Sequence, residues 1–150
     1  MSMSSGVVIS NECITASRSL RFGRGPQKPR FVIYKISDDE TTVELCESSG
    51  EPDYEVFLQS LCAAADSTGK PMPRYAAYDV EYDLGEDGKR SRLVFISWVP
   101  QETPLKLCML YATTKEQLRN ALDIKLVIHA DTPDELEWRN LLSVASGGRV

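Results

Sequence analysis

The sequence predicts one α/β domain: a mixed, mostly antiparallel central sheet with helices on both faces. Three observations carry this reading. Helical and strand-like segments alternate along the chain, with no internal repeat and no low-complexity tract. Two pairs of β-branched and aromatic runs are joined by short polar turns, as in hairpins. One run, RLVFISWV (92–99), is almost continuously apolar, which predicts a central strand covered on both faces. The chain has 150 residues, the length of a single domain able to bury a real core.

The elements follow in order. Ser10 and Asn11 precede an apolar run and predict a helix over about 10–22. GRGPQKP (23–29) is a loop punctuated by glycine and proline. FVIYKI (31–36) and TTVELC (41–46) pair as a hairpin around Asp38, Asp39 and Glu40. Asp53 is the N-cap of a helix whose stripe is Tyr54, Phe57, Leu58, Leu61 and Cys62. RYAAYDVEY (74–82) and 92–99 form a second hairpin across LGEDGKRS. A long helix follows PQETP, then a strand over 125–130. A final helix runs through about Val144, with Pro133 in its first turn. The order is helix, hairpin, helix, hairpin, helix, strand, helix.

Composition narrows the function. Net charge is −5 and the pI near 4.9, against the basic excess of a nucleic-acid binder. Apolar residues make up 42% and charged ones 26%, ordinary for a globular domain and unlike a disordered chain. No apolar stretch approaches the roughly 18 residues of a membrane span. MSMSSGVVIS lacks the basic and apolar regions of a secretory signal. Cys13, Cys46, Cys62 and Cys108 are widely spaced and the chain has one histidine, so neither a metal site nor a disulfide framework is expected. Free thiols in a reducing compartment are the expectation. A hydrolase would need a base held beside a nucleophile, and no motif surrounds His129. Asp79 and Glu81 share one face of a strand, but no sugar-binding aromatic cluster accompanies them; they read as polar residues at a strand edge.

PLKLCMLYATTKEQLRNAL (104–122) is the most informative stretch. At about 100° per residue, Leu107, Leu110, Tyr111, Leu118 and Leu122 fall on one side. Leu105, Met109 and Ala112 fall on another, with Lys106 and Thr113 among them. Such a helix is either core on both faces or has one face reserved for a partner, and Lys106, a residue type rarely buried, favours the partner. Ala112, Thr113 and Thr114 suggest a bend.

This stretch resembles the long helix of the actin-depolymerising factor/cofilin family, with its basic residue, Met, and Tyr-Ala-Thr-Thr-Lys run. SSGVVISNEC is similar to that family's N-terminus, RFVIYKI to its first long strand, and RYAAYDVEY with RLVFISWVPQETP to its central hairpin. The likeness runs from about Ser5 to Ala130. It implies a single ADF-homology domain of gelsolin-like architecture over 1–150, with flexible ends at 1–6 and 146–150. It implies a monomeric, cofactor-free actin-binding protein that binds monomers and filaments and promotes depolymerisation and severing. It further implies a cytoplasmic protein of the actin cytoskeleton, able to enter the nucleus. By matching position, Ser5, Gly6, Lys106, Cys108, Met109 and Thr113 contact monomeric and filamentous actin. Lys89, Arg90 and Arg92 in the hairpin turn, with charges of the last helix, form a second surface for the filament. Ser5 is the phosphorylation candidate.

Departures from the family pattern qualify this. The family carries a second basic residue where Cys108 stands; its loss is either drift at a rim worth about 0–1 kcal/mol or a weaker docking face. The last helix has Arg139 and then nothing basic until Arg149, which predicts a filament site reduced to the hairpin turn. Arg18, Arg21, Arg24, Lys28, Arg30 and Lys35 form a run without acidic residues, a solvated face or a seat for phosphoinositides, which the resemblance also implies. The alternative partner within the same architecture is the Arp2/3 complex, bound by glia maturation factor proteins, whose last helix DELEWRNLL resembles.

Overall fold

The structure, a computed structural model, describes residues 6–26 and 28–149. Among these, six strands form one sheet: β1 (Val8–Ile9), β2 (Phe31–Ile36), β3 (Thr42–Ser49), β4 (Arg74–Asp83), β5 (Lys89–Trp98) and β6 (Leu126–Ala130). Their order is β1-β3-β2-β4-β5-β6. The two hairpins and the β2–β4 junction are antiparallel, while β1–β3 and β5–β6 are parallel at the edges. The sheet is thus mixed and mostly antiparallel, as the sequence predicts. The helices are α1 (Asn11–Phe22), α2 (Tyr54–Cys62), α3 (Leu105–Leu122) and α4 (Trp138–Ser146).

Alternation along the strands divides the core between the two faces. Val32, Tyr34, Tyr75, Ala77 and Phe95 pack toward Leu20 of α1 and Tyr111, Leu118 and Leu122 of α3. Phe31, Ile33, Tyr78, Val94 and Ile96 pack toward Phe57 and Leu61 of α2 and Leu141 and Ala145 of α4. β5 lies between β4 and β6, and Val94 to Trp98 are buried from both sides. The expected central strand is therefore central.

Local chemistry fixes the ends. The Asp53 carboxylate accepts from the Glu55 N–H at 3.0 Å and caps α2. α3 ends on Asp123 in the left-handed region, φ 55°, a conformation that aspartate tolerates better than most side chains. β3 runs three residues past its expected end, and the register slips between Ile33 and Tyr34, placing Cys46 in a bulge.

Two expectations are corrected. The last helix is not continuous: residues Pro133–Leu136 form a 3-10 turn, and α4 starts at Trp138. A capping box between Thr132 and Glu135 closes the turn, and the Tyr54 hydroxyl donates to the Leu136 carbonyl, so that carbonyl is not left for a helical ladder. Asp79 and Glu81 do not sit at a strand edge. β4 is internal, Asp79 is buried in an ion pair with Lys28 at 2.8 Å, and Glu81 pairs with Arg30 at 3.6 Å. α3 runs unbroken through Ala112–Thr114, with the Thr113 hydroxyl donating to the Leu110 carbonyl, the backbone competition on which the expected bend rests.

Candidate docking face

α3 is anchored along one side only. Tyr111, Thr114, Leu118 and Leu122 are buried, and the Tyr111 hydroxyl accepts from the Ile36 N–H at 2.9 Å while its carbonyl accepts from the Tyr75 hydroxyl. Held by its hydroxyl at one end and by its backbone carbonyl at the other, Tyr111 fixes the rotation of α3 on the sheet. The opposite side stays in solvent. Leu105 is 75% and Met109 60% exposed, among the few large apolar side chains left outside. Ala112 and Thr113 continue the strip, and Lys106 flanks it with 81% of its side chain exposed. An apolar strip beside a cation, on a helix held rigid from behind, is built to meet a partner with an apolar centre and acidic edge.

The N-terminal segment reaches the same helix. Val7 is buried, and its carbonyl accepts from Gln117 Nε2 of α3 at 2.9 Å. Val8 donates to the Thr41 carbonyl at 2.8 Å as β1 joins the sheet. Gly6, exposed with φ 82°, makes the left-handed turn that brings the chain to this clamp. Ser5 lies outside the described residues.

Two of the sequence-predicted residues face away from neighbours in their groups. Cys108 lies about 200° around the helix from Lys106. It is half-buried, with its thiol donating to the Thr103 carbonyl at 3.4 Å. It lines a crevice of about 420 Å³ together with Pro100, Ala112, Lys115, His129 and Asp131. A longer basic side chain could reach past that rim; the thiol does not. Lys89 is exposed but on the opposite face of β5 from Arg90 and Arg92, which share the side of Val94 and α4.

The same hairpin turn gains a residue instead. Gly147 closes α4 in the left-handed region, Gly148 donates to the Ser143 carbonyl at 2.8 Å, and Arg149 comes to 3.2 Å from Asp87 in the turn. Arg90, Arg92 and Arg149 thus belong to one end of the molecule. Asp83, Glu86 and Asp87 intersperse them, so the surface is mixed rather than purely basic.

The basic run in the first third of the chain does not form one face. Lys28, Arg30 and Lys35 are paired to Asp79, Glu81 and Glu44, and Arg21 donates to the Leu122 and Asp123 carbonyls at the end of α3. His129 contacts Ser97 Oγ at 3.2 Å. Among the described residues, no cluster of His, Cys, Asp and Glu is placed to hold a metal ion, and no helix is long and apolar enough to cross a membrane. Burial pushes the Cys13 and Cys62 thiols up, away from the reactive thiolate form.

Gln117 and Glu40 also belong to this surface, although the sequence did not single them out. Glu40, in the β2–β3 turn, pairs with Lys106 at 3.2 Å. The signal for it was the acidic run 38–40; its partner lies too far along the chain for spacing to reveal.

A family model described as cofilin/tropomyosin-type actin-binding protein matches residues 6–146. The cofilin of Gibberella zeae is 35% identical over 150 residues, covering 96% of this chain and 96% of its own length. The crystal structure of Streptomyces griseoflavus cofilin superposes with a TM-score of 0.80 at 31% identity, over 95% of this chain and 99% of that one. The glia maturation factor of Caenorhabditis elegans shares the fold, with a TM-score of 0.71 at 18% identity over 95% of this chain and 99% of its own.

Proposed function

The chain belongs to the cofilin/tropomyosin-type actin-binding family, and from that premise we propose that it docks both actin monomers and filaments and promotes filament depolymerisation and severing. The observation that carries this is the solvent-facing strip of Leu105, Met109 and Thr113 beside Lys106, on a helix whose other side is locked to the sheet. Gly6 is brought to that face by the clamp of Val7 on Gln117. Arg90 and Arg92, joined by Arg149, make the second contact that a filament requires, while Lys89 faces away from them. Pelleting with actin filaments tests the whole reading. Polymer should fall, and the protein should appear with soluble actin as well as with filaments. If neither fraction changes, actin is not the partner and binding to the Arp2/3 complex is the assay to run next.

Two substitutions separate the surfaces. Arg90→Glu with Arg92→Glu is expected to weaken co-sedimentation with filaments about tenfold or more while leaving monomer affinity within twofold. Equal loss in both assays would assign the turn to the monomer face. Ser5 is the proposed regulatory position, because a phosphate there adds about −1.5 to −2 charge next to a face that meets an acidic partner. Ser5→Asp should therefore weaken monomer binding, measured by fluorescence titration, with the loss shrinking as salt is raised. Unchanged affinity would remove Ser5 from the mechanism. A phosphoinositide seat would have to use the cations left exposed, Arg18 and Arg24 among them.

A further inference from the structure

We infer that Glu40 sets the affinity of the docking face: its carboxylate holds the Lys106 ammonium and so weakens engagement of an acidic partner. This rests on the docking role proposed above for α3. Lys106 is 81% exposed on a flexible stem, yet its Nζ lies 3.2 Å from Glu40 Oε2, a residue of another element. The first turn of α3 offers it no acidic neighbour, and a cation there opposes the helix dipole, so Glu40 is the compensating charge.

Glu40 is held where it is. Its backbone is left-handed, φ 64°, a conformation rare for a residue with a side chain. The turn around it enforces this. Asp39 Oδ1 accepts from Ser37 Oγ at 2.6 Å, Thr41 Oγ1 at 2.7 Å and the Thr41 N–H at 3.2 Å, and the Glu40 N–H donates to the Ser37 carbonyl at 2.8 Å. Ser37 Oγ accepts in turn from the Thr42 N–H. Hydrogen bonds from Ser37, then Thr41, hold the Asp39 carboxyl below its usual range, so the turn keeps its charge. β1 passes this turn on its way to the clamp at Gln117, which places Glu40 at the edge of the docking face.

Two effects then act in one direction. Docking to an acidic surface must take the ammonium from Glu40 or share it, and it brings the Glu40 carboxylate toward like charge. Both are screened by salt. The measurement is equilibrium binding of labelled actin monomers to wild type, Glu40→Gln, Lys106→Met and the double variant, at low and at physiological ionic strength, with a melting curve for each. Glu40→Gln should bind about two- to fivefold tighter at low salt, with the gain falling as salt rises. Lys106→Met should bind more weakly, and in its background Glu40→Gln should gain distinctly less. Unchanged or weaker binding by Glu40→Gln overturns the inference, as does a gain of equal size without Lys106. Binding of Lys106→Met at wild-type strength would instead overturn the docking role of α3 itself. If Glu40→Gln melts early, Glu40→Gly, which takes the left-handed backbone freely and lacks the carboxylate, makes the same comparison.

Discussion

Replacing Met109 by aspartate together with Lys106 by alanine will cut affinity for monomeric actin by about 30- to 150-fold, equivalent to about 2–3 kcal/mol. Met109 is 60% exposed in the free protein, so the domain loses little when it changes. A docked interface would bury what remains of it, and a carboxylate in its place would be desolvated against an apolar surface without a partner. Loss of the Lys106 charge removes the cation at the margin of the strip. Substitutions at exposed positions such as these shift stability by about 0.5 kcal/mol each, so melting should move only a few degrees. Titration of labelled monomers against wild type and variant is the check. A loss under threefold would mean that α3 is not the main contact, and an early melt would mean that the strip has a folding role.

The largest stability effect is expected on the other side of the sheet. Phe57 is fully buried, with its ring 4.9 Å from Phe31, 4.9 Å from Tyr78 and 5.4 Å from Tyr54. With Tyr54 it carries α2 into this aromatic cluster, which Trp138 completes from α4. Phe57→Ala removes the transfer energy of the ring and leaves a cavity that rigid neighbours cannot fill, at a cost of about 3–5 kcal/mol. In a domain of this size that lowers Tm by roughly 6–20 °C. Denaturant unfolding measures it directly, and a cost under about 1 kcal/mol would show that the cluster closes over the gap. Actin affinity, measured well below the transition, should stay within twofold because α3 packs on the opposite face.

What could be read from the sequence was what is periodic or local. The stripe Tyr54, Phe57, Leu58, Leu61 and the continuous apolar run 92–99 each announce one burial pattern, and both elements lie where expected. The exposed strip of α3 was legible because Lys106 and Thr113 fall among apolar residues on one side. Cys108 stands beside Ala112 at the rim of the strip, and its contacts with Thr103 and the crevice near His129 are what matching by position does not report. The break at Glu137 was hidden because the competing hydrogen bond comes from Tyr54, far along the chain. Arg149 read as part of a loose end, since nothing near it in sequence reports Asp87. β1 has two residues and no pattern of its own; its place depends on Thr42 and Val43.

The short reach of β1 has a further consequence. It covers β3 at Thr42 and Val43, and among the described residues no other strand pairs with β3 on that side, which leaves the rest of it a sheet edge. On the filament-binding role proposed above, the protein would be gathered along a polymer at high local concentration, where bare edges recruit one another into aggregates. Here the edge is blunted by the kink at Cys46 and by the carboxylates of Glu44 and Glu47. The irregularity of β3 would then act against self-association at the place where the proposed role crowds copies together.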